Sequence, residues 1–321
     1  MKGRTILITG AGGFVGAHLA EALDARGARV HGLGDDPPKR PLPLAGWHAA
    51  DLRDPPTLEA ALEAARPDAV IHLAGQSSAA RSFEDPTGTF EVNVLGTWNL
   101  VESVRRVCPH ARVLAVGSSE CYGPIPPGTR ATEDTPQRPV SPYGSSKSVA
   151  DALAAAHGRT HGIDVVRTRS FAHAGPGQDA RFLIPSVAGQ IAAIEAGRSE
   201  PVLRVGNLEV TRDLCDVRDV ARAYADLVER GARGAVYNVC RGEGTTLAWV
   251  VEWLVARARV AVRVESDPLR LRPADVPYLV GDPSAIARDV GWSATIPLED
   301  TLQDVLDEWR ARATGVGAGP A

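Results

Sequence analysis

The chain has 321 residues (33.8 kDa), 44% of them hydrophobic and 23% charged, a composition that fits a globular protein and excludes a disordered or collagen-like one. That length suits one large α/β unit or two domains, and it buries enough surface to fold without disulfides or a metal. A net charge of −4 at pH 7 argues against a nucleic-acid partner, and no apolar run reaches the roughly 18–20 residues of a membrane helix.

Short β-branched runs alternate with longer helical patterns through the first half. Strands are expected at 5–9, 28–33, 69–73, 112–116 and 165–168, with another just before Asp51, and helices at 15–26, 87–107 and 143–160. Strand, helix, strand in repetition predicts a Rossmann-type, doubly wound parallel sheet, because parallel neighbours need crossover helices. Past residue 170 the rhythm gives way to Pro- and Gly-rich loops and isolated helices at 247–258 and 298–312, the pattern of a smaller C-terminal α/β lobe. Residues 234–239 read as a late strand that rejoins the first domain. The expected division is a dinucleotide-binding domain over 1–170, rejoined by about 213–240, a substrate lobe over 171–212 and 241–313, and a disordered tail over 314–321. Cys108, Cys121, Cys215 and Cys240 form no metal or redox spacing, and the N-terminus shows no leader, so a cytoplasmic location is expected.

Gly10-Ala-Gly12-Gly13-Phe14-Val15-Gly16 follows the first strand and opens the first helix. Glycines there allow a tight turn and bring backbone N–H groups to a pyrophosphate at a helix N-terminus. This predicts NAD or NADP, with Gly10, Gly13, Phe14, Val15 and Gly16 around the phosphates. An acid is expected at the end of the second strand to hold the adenosine ribose; Gly34 stands there and Asp35 follows. Asp35 favours NAD, whereas Lys39 and Arg40 leave NADP open. Asp51 and Leu52 are candidate adenine contacts, and Leu73, Ala74 and Gly75 end the fourth strand where a cofactor passes close by.

Tyr143-Gly-Ser-Ser-Lys147 sets a phenol and an ammonium on one face of a helix. A nearby Lys⁺ is expected to lower the tyrosine pKa and make it a usable acid/base. Only three lysines occur, Lys2, Lys39 and Lys147, so a lysine inside a chain that otherwise uses arginine draws attention. Ser118, Ser119 and Glu120 follow the fifth strand, at the carboxyl edge where α/β enzymes place catalytic groups. Ser118 is placed to hold a substrate oxygen, and Glu120 to abstract a proton beside a ketone or to cap the loop. His157 and His161 are one helical turn apart but lack a third ligand, so no metal is expected and both read as surface histidines.

Together these motifs resemble the extended short-chain dehydrogenase/reductase family over nearly the whole chain. The resemblance implies NAD(P) in the first domain, a nucleotide sugar in the second, and a catalytic triad of Ser118, Tyr143 and Lys147, the last two also touching the cofactor. Asn93 is similar to the family's structural asparagine. The segments around Gln178–Phe182, Arg212-Asp213 and Arg272-Pro-Ala-Asp275 resemble the GDP-4-keto-6-deoxy-mannose reductase group. That implies Arg212 and Arg272 on the diphosphate, Asp275 on a ribose hydroxyl, and Ser119, Ala172 and Arg181 in the substrate site, with a GDP-sugar favoured. Ala172 replaces the group's usual Asn, and Cys121 stands where an apolar β-branched residue is usual. A nucleotide-sugar 4,6-dehydratase using Glu120 as base, a 4-epimerase and a silent sugar-nucleotide-binding protein are the alternatives. The resemblance further implies a homodimer through a four-helix interface.

Overall fold

The computed structural model describes residues 1–271 and 275–315. In chain order it runs β1 (Thr5–Thr9), α1 (Phe14–Asp24), β2 (Arg29–Gly34), β3 (Gly46–Ala49), α2 (Pro55–Ala65), β4 (Ala69–His72), α3 (Ala79–Glu84), α4 (Pro86–Phe90), a π turn (Glu91–Leu95), α5 (Gly96–Val107), β5 (Arg112–Ser118), α6 (Pro142–His161) and β6 (Val165–Ser170). There follow β7 (Ala172–Ala174), α7 (Leu183–Glu195), β8 (Val202–Val205), β9 (Thr211–Asp216), α8 (Val217–Arg230), β10 (Val236–Val239), β11 (Gly244–Thr246) and α9 (Leu247–Val255). The chain closes with β12 (Arg263–Ser266), β13 (Tyr278–Leu279), α10 (Ser284–Val290) and α11 (Leu298–Thr314).

Seven strands form one sheet in the order β10-β6-β5-β4-β1-β2-β3, every neighbouring pair parallel. Its central strands are apolar on both faces, as a sheet covered by helices on both sides requires. Ile6, Ile8, Val30 and Ile71 pack with Leu19, Leu23, Val220 and Leu227 of α1 and α8. Their alternates Leu7, Leu33 and Val70 pack with Leu58, Leu62, Leu100 and Val104 of α2 and α5. Burying each such side chain contributes about 1.5–3 kcal/mol. The strand order reverses between β1 and β4, and in open α/β sheets ligands bind at the carboxyl ends beside such a reversal.

The later part of the chain builds two smaller sheets, β8 with β12, and β9 with β7, β11 and β13. Their core joins α7, α9 and α11 through Ile191, Leu203, Leu214, Leu254 and Leu302. Residues 236–239 pair with β6 and complete the large sheet.

Two readings are corrected. The helix expected over 87–107 is interrupted by the π turn at Glu91–Leu95. The tail expected to start at 314 does not: Thr314 ends α11 and Gly315 caps it at φ 73°, while 316–321 lie outside the described residues.

Candidate active site

The β1–α1 turn is shaped by contacts that a side chain would break. Gly10 has φ +70° and would bring a Cβ to 3.0 Å from Ala74 backbone atoms; Gly16 would bring one to 2.4 Å from the Gly10 carbonyl oxygen. α1 begins after Gly13 with no side-chain cap and no acid in its first turn, leaving a positive helix end toward the turn. These features fit a dinucleotide pyrophosphate. The Phe14 ring stacks on His173 at 6.2 Å and meets His18 edge-on, while His18 Nε2 pairs with the Pro176 carbonyl at 2.9 Å. The loop after β7 is thereby held against the start of α1.

At the end of β2, Trp47 explains the missing acid. A Cβ on Gly34 would stand 3.1 Å from the Trp47 ring, and on Gly32 2.6 Å, so the indole covers this strand end. Asp35 is exposed. Asp51 is held by Arg53, which donates from its backbone N–H and Nε to one carboxylate oxygen and from Nη2 to the other. Leu52 is buried beneath, and Arg40 is engaged with Glu21 at 2.8 Å.

α6 starts where Ser141 Oγ accepts the Gly144 N–H at 3.0 Å and Pro142 takes a first-turn position, an N-terminus that sequence specifies locally. That start sets Tyr143 and Lys147 one turn apart against the end of β5. Ser118 lies beside the Tyr143 hydroxyl, and its Oγ accepts the Glu120 N–H at 3.2 Å. Lys147 Nζ donates to the Val116 carbonyl at 3.3 Å. Burial pushes the Tyr143 hydroxyl up to about 12, against the influence of the neighbouring Ser118 hydroxyl, and the nearby Glu120 carboxylate pushes the same way as burial. Burial pushes Lys147 down to about 8. The expected lowering of the tyrosine by Lys147 is therefore not found; desolvation decides the direction.

Asn93 explains the π turn. Its Oδ1 accepts the Gln76 N–H at 2.8 Å, and its Nδ2 donates to the Gln76 carbonyl at 3.0 Å and to Ser146 Oγ at 2.9 Å. A widened turn brings this side chain onto the strand end and onto α6 at once. A Cβ on Gly75 would stand 2.8 Å from Asn93 Oδ1 and 3.6 Å from Lys147 Nζ, so the loop after β4 passes directly over Lys147. Ala74 N–H donates to Thr9 Oγ1 at 3.1 Å and Leu73 N–H to the Thr9 carbonyl at 3.3 Å.

Sequence reasoning missed the buried groups behind this face. Asp151, one turn beyond Lys147, receives Arg169 Nη2 at 3.0 Å and Arg167 Nη1 at 3.1 Å, and Arg169 also donates to the Tyr122 hydroxyl at 3.1 Å. The i, i+4 continuation from Lys147 was the available signal. His72 was likewise passed over, although it ends β4 among apolar residues.

Of the residues expected to hold substrate, Ser119 is buried in the short turn after β5 and Ala172 opens β7 opposite Leu214. Arg181 is exposed and held by Asp179 of its own loop. Arg212 and Asp275 meet each other at 2.8 Å, and Arg212 also donates to the Val276 carbonyl. Arg272 lies outside the described residues. His157 is not a surface residue: it is 3% exposed, its Nε2 pairs with Glu102 at 3.0 Å, and Trp98 packs edge-on against it, whereas His161 is exposed. Among the described residues no group of three or more His, Cys, Asp or Glu is placed to hold a metal, and no helix is long and apolar enough to cross a membrane.

Residues 7–305 match the family model described as GDP-mannose 4,6 dehydratase. The chain is 36% identical over 308 residues to GDP-6-deoxy-D-mannose reductase of Pseudomonas aeruginosa, covering 96% of this chain and 97% of that protein. It superimposes on a solved structure of RMD from Pseudomonas aeruginosa complexed with NADPH at a TM-score of 0.85, with 34% identity and coverage of 96% and 99%. A UDP-glucose 4-epimerase from Thermus thermophilus in complex with NAD gives a TM-score of 0.84 at 31% identity, covering 95% and 98%. The seven-stranded sheet, the glycine turn and the extent of these matches agree, and the chain belongs to the GDP-mannose 4,6 dehydratase family, within the NAD(P)-dependent epimerase/dehydratase type of short-chain dehydrogenase/reductase.

Proposed function

We propose that this protein reduces the C4 ketone of a GDP-linked 4-keto-6-deoxyhexose. The observation that carries this reading is buried Tyr143 beside Ser118, with Lys147 one turn along the same helix and a glycine turn shaped for a dinucleotide close by. When bound, NAD(P)H supplies the hydride. The chain's own residues supply the proton and hold the oxygen. Tyr143 donates to the C4 oxygen as charge develops on it, and the Ser118 hydroxyl orients that oxygen. Lys147, an ammonium below about pH 8, stabilises the phenolate left behind and offers a second donor to a ribose hydroxyl. The 36% identity to a GDP-6-deoxy-D-mannose reductase supports the reductase over other members of the family.

Under this reading the large sheet with its flanking helices (1–170 and 213–240) carries the cofactor, and 171–212 with 241–313 carries the nucleotide sugar. Exposed Phe90, Leu95 and Trp98, with Val149 on α6, form an apolar face suited to a homodimer built from α5 and α6. Four buried free thiols fit a reducing cytoplasm.

Glu120 supports a second reading, the 4,6-dehydratase, because its carboxylate lies close enough to Tyr143 to oppose ionisation of the phenol. Purified protein incubated with a GDP-4-keto-6-deoxyhexose decides between them. A reductase consumes added NADPH or NADH stoichiometrically with substrate. A protein that consumes neither, yet releases a 4-keto sugar from a GDP-hexose using bound NAD⁺, is the dehydratase.

A further inference from the structure

A cleft of about 470 Å³ opens between the β8–β12 pair and the loop leading into β9, with apolar walls from Val205, Leu208, Val264 and Leu271. Two carboxylates line it, Glu209 and Asp275. They are not equivalent. Asp275 is engaged by Arg212 at 2.8 Å and by Asn207 Nδ2 at 3.5 Å. Glu209 is fixed through its backbone, whose N–H donates to Asn207 Oδ1 at 3.0 Å. Its carboxylate is exposed on the cleft wall, and among the described residues no side chain is hydrogen-bonded or ion-paired to it.

A carboxylate here repels a diphosphate and demands donors, so the ligand group it faces is a neutral ring with N–H groups, sandwiched by apolar walls. Guanine alone among the common bases presents two adjacent donors, N1–H and the N2 amino group, which match the two oxygens of one carboxylate. Adenine sets the acceptor N1 beside its amino group, cytosine sets N3 beside its own, and the N3–H of uracil or thymine is flanked by carbonyl oxygens. Each of these brings a lone pair against the anion, which costs more than a missing contact. Resting on the nucleotide-sugar reading above, we propose that Glu209 is the residue that selects guanine, accepting N1–H and N2–H. Ser266, on the same cleft, offers a hydroxyl donor that suits guanine O6.

Calorimetric titration of the NADPH-loaded protein with GDP, IDP, ADP, UDP and dTDP tests this. IDP keeps N1–H but lacks the N2 amino group, so it isolates the paired contact. The wild type is expected to bind GDP roughly tenfold or more tighter than IDP, and the other three more weakly still. Glu209→Gln and Glu209→Ala are expected to weaken GDP and bring the five ligands within a few-fold of one another, with NADPH affinity unchanged. If GDP selectivity survives both substitutions, the role of Glu209 is overturned while the GDP-sugar reading stands. If the wild type binds UDP or dTDP as tightly as GDP, the GDP-sugar reading itself fails and the inference with it. Should neither variant fold, equal binding of GDP and IDP by the wild type overturns the paired contact, and a tenfold preference supports it.

Discussion

Thr9 Oγ1 and His72 Nδ1 share a hydrogen bond of 2.9 Å between β1 and β4, where the strand order of the sheet reverses. On the other side of the ring, His72 Nε2 lies 3.0 Å from Thr97 Oγ1. Thr97 spends its hydroxyl proton on the Asn93 carbonyl, at 2.6 Å, so it accepts from His72 Nε2–H. His72 Nδ1 then accepts from the Thr9 hydroxyl, whose oxygen is left to receive the Ala74 N–H. One tautomer of one neutral histidine thus connects the carboxyl end of β1 to the asparagine that ties the loop after β4 to α6.

That arrangement makes the fold acid-sensitive. Burial, with the Lys147 charge adding to it, pushes His72 down to about 3 from an ordinary 6.5. Between those values the unfolded chain binds a proton that the folded one refuses, so stability rises with pH across the window. It is complete above pH 6.5 and lost as pH falls toward 3. Urea unfolding is expected to lose on the order of 3 kcal/mol from this group between pH 7 and pH 4. His72→Gln should flatten that slope; an unchanged slope would show that other groups carry it. Asp213, which burial pushes up to about 6, works in the opposite sense and is common to both proteins.

Under the proposed mechanism, replacing Tyr143 by Phe removes the proton donor and its interaction with the neighbouring Ser118, and little else. Turnover is expected to fall by about 10²–10⁴, with NADPH affinity within a few-fold of wild type. Stability should change by about 1 kcal/mol. Glu120→Gln should leave a reductase most of its rate, whereas a loss comparable to that of Tyr143→Phe would favour the dehydratase.

Under the proposed mechanism, Lys147 sets the alkaline limit of the rate. With burial holding its ammonium near pH 8, kcat/KM is expected to decline with one-proton dependence as pH rises through about 8. Lys147→Arg keeps the charge at every accessible pH, so the limb should move upward, while the planar guanidinium fits the site poorly and lowers the plateau by roughly tenfold or more. Identical limbs in the two proteins would remove Lys147 from this role.

The exposed apolar residues Phe90, Leu95, Trp98 and Val149 yield a test of assembly. Leu95 is 54% exposed and Trp98 41%, large values for apolar residues of that size. Leu95→Glu should shift the protein from dimer to monomer in gel filtration coupled to light scattering. A wild type that elutes as a monomer would remove the dimer altogether.

The large sheet was legible because its signals are local: β-branched runs, a glycine turn, a Ser-Pro helix start. Residues 5–9 were read with the boundaries that β1 has, and Tyr143 and Lys147 fall on one face because helical spacing alone decides it. What escaped depends on partners distant in sequence. The π turn follows from Asn93 reaching Gln76, the neutral His72 from Thr9 and Thr97, the burial of His157 from Glu102. The Arg212–Asp275 pair joins β9 to the loop before β13, 63 residues further on, and no periodicity announces it. The tyrosine reading failed for a related reason: spacing shows that Lys147 is near, and says nothing of how much water both groups lose.

The return of β10 to the edge of β6 has a consequence for how the protein is made. Emerging from a ribosome, the sheet stays unfinished until Val239 has been synthesised, with Arg167–Ser170 offering open backbone groups in the meantime. Phe171 N–H, which donates to the Val239 carbonyl, waits for the same event. A chain cut between β6 and β10 would therefore leave the large sheet without its edge strand. The large sheet is completed only after the intervening lobe of β7 to α8 has been made.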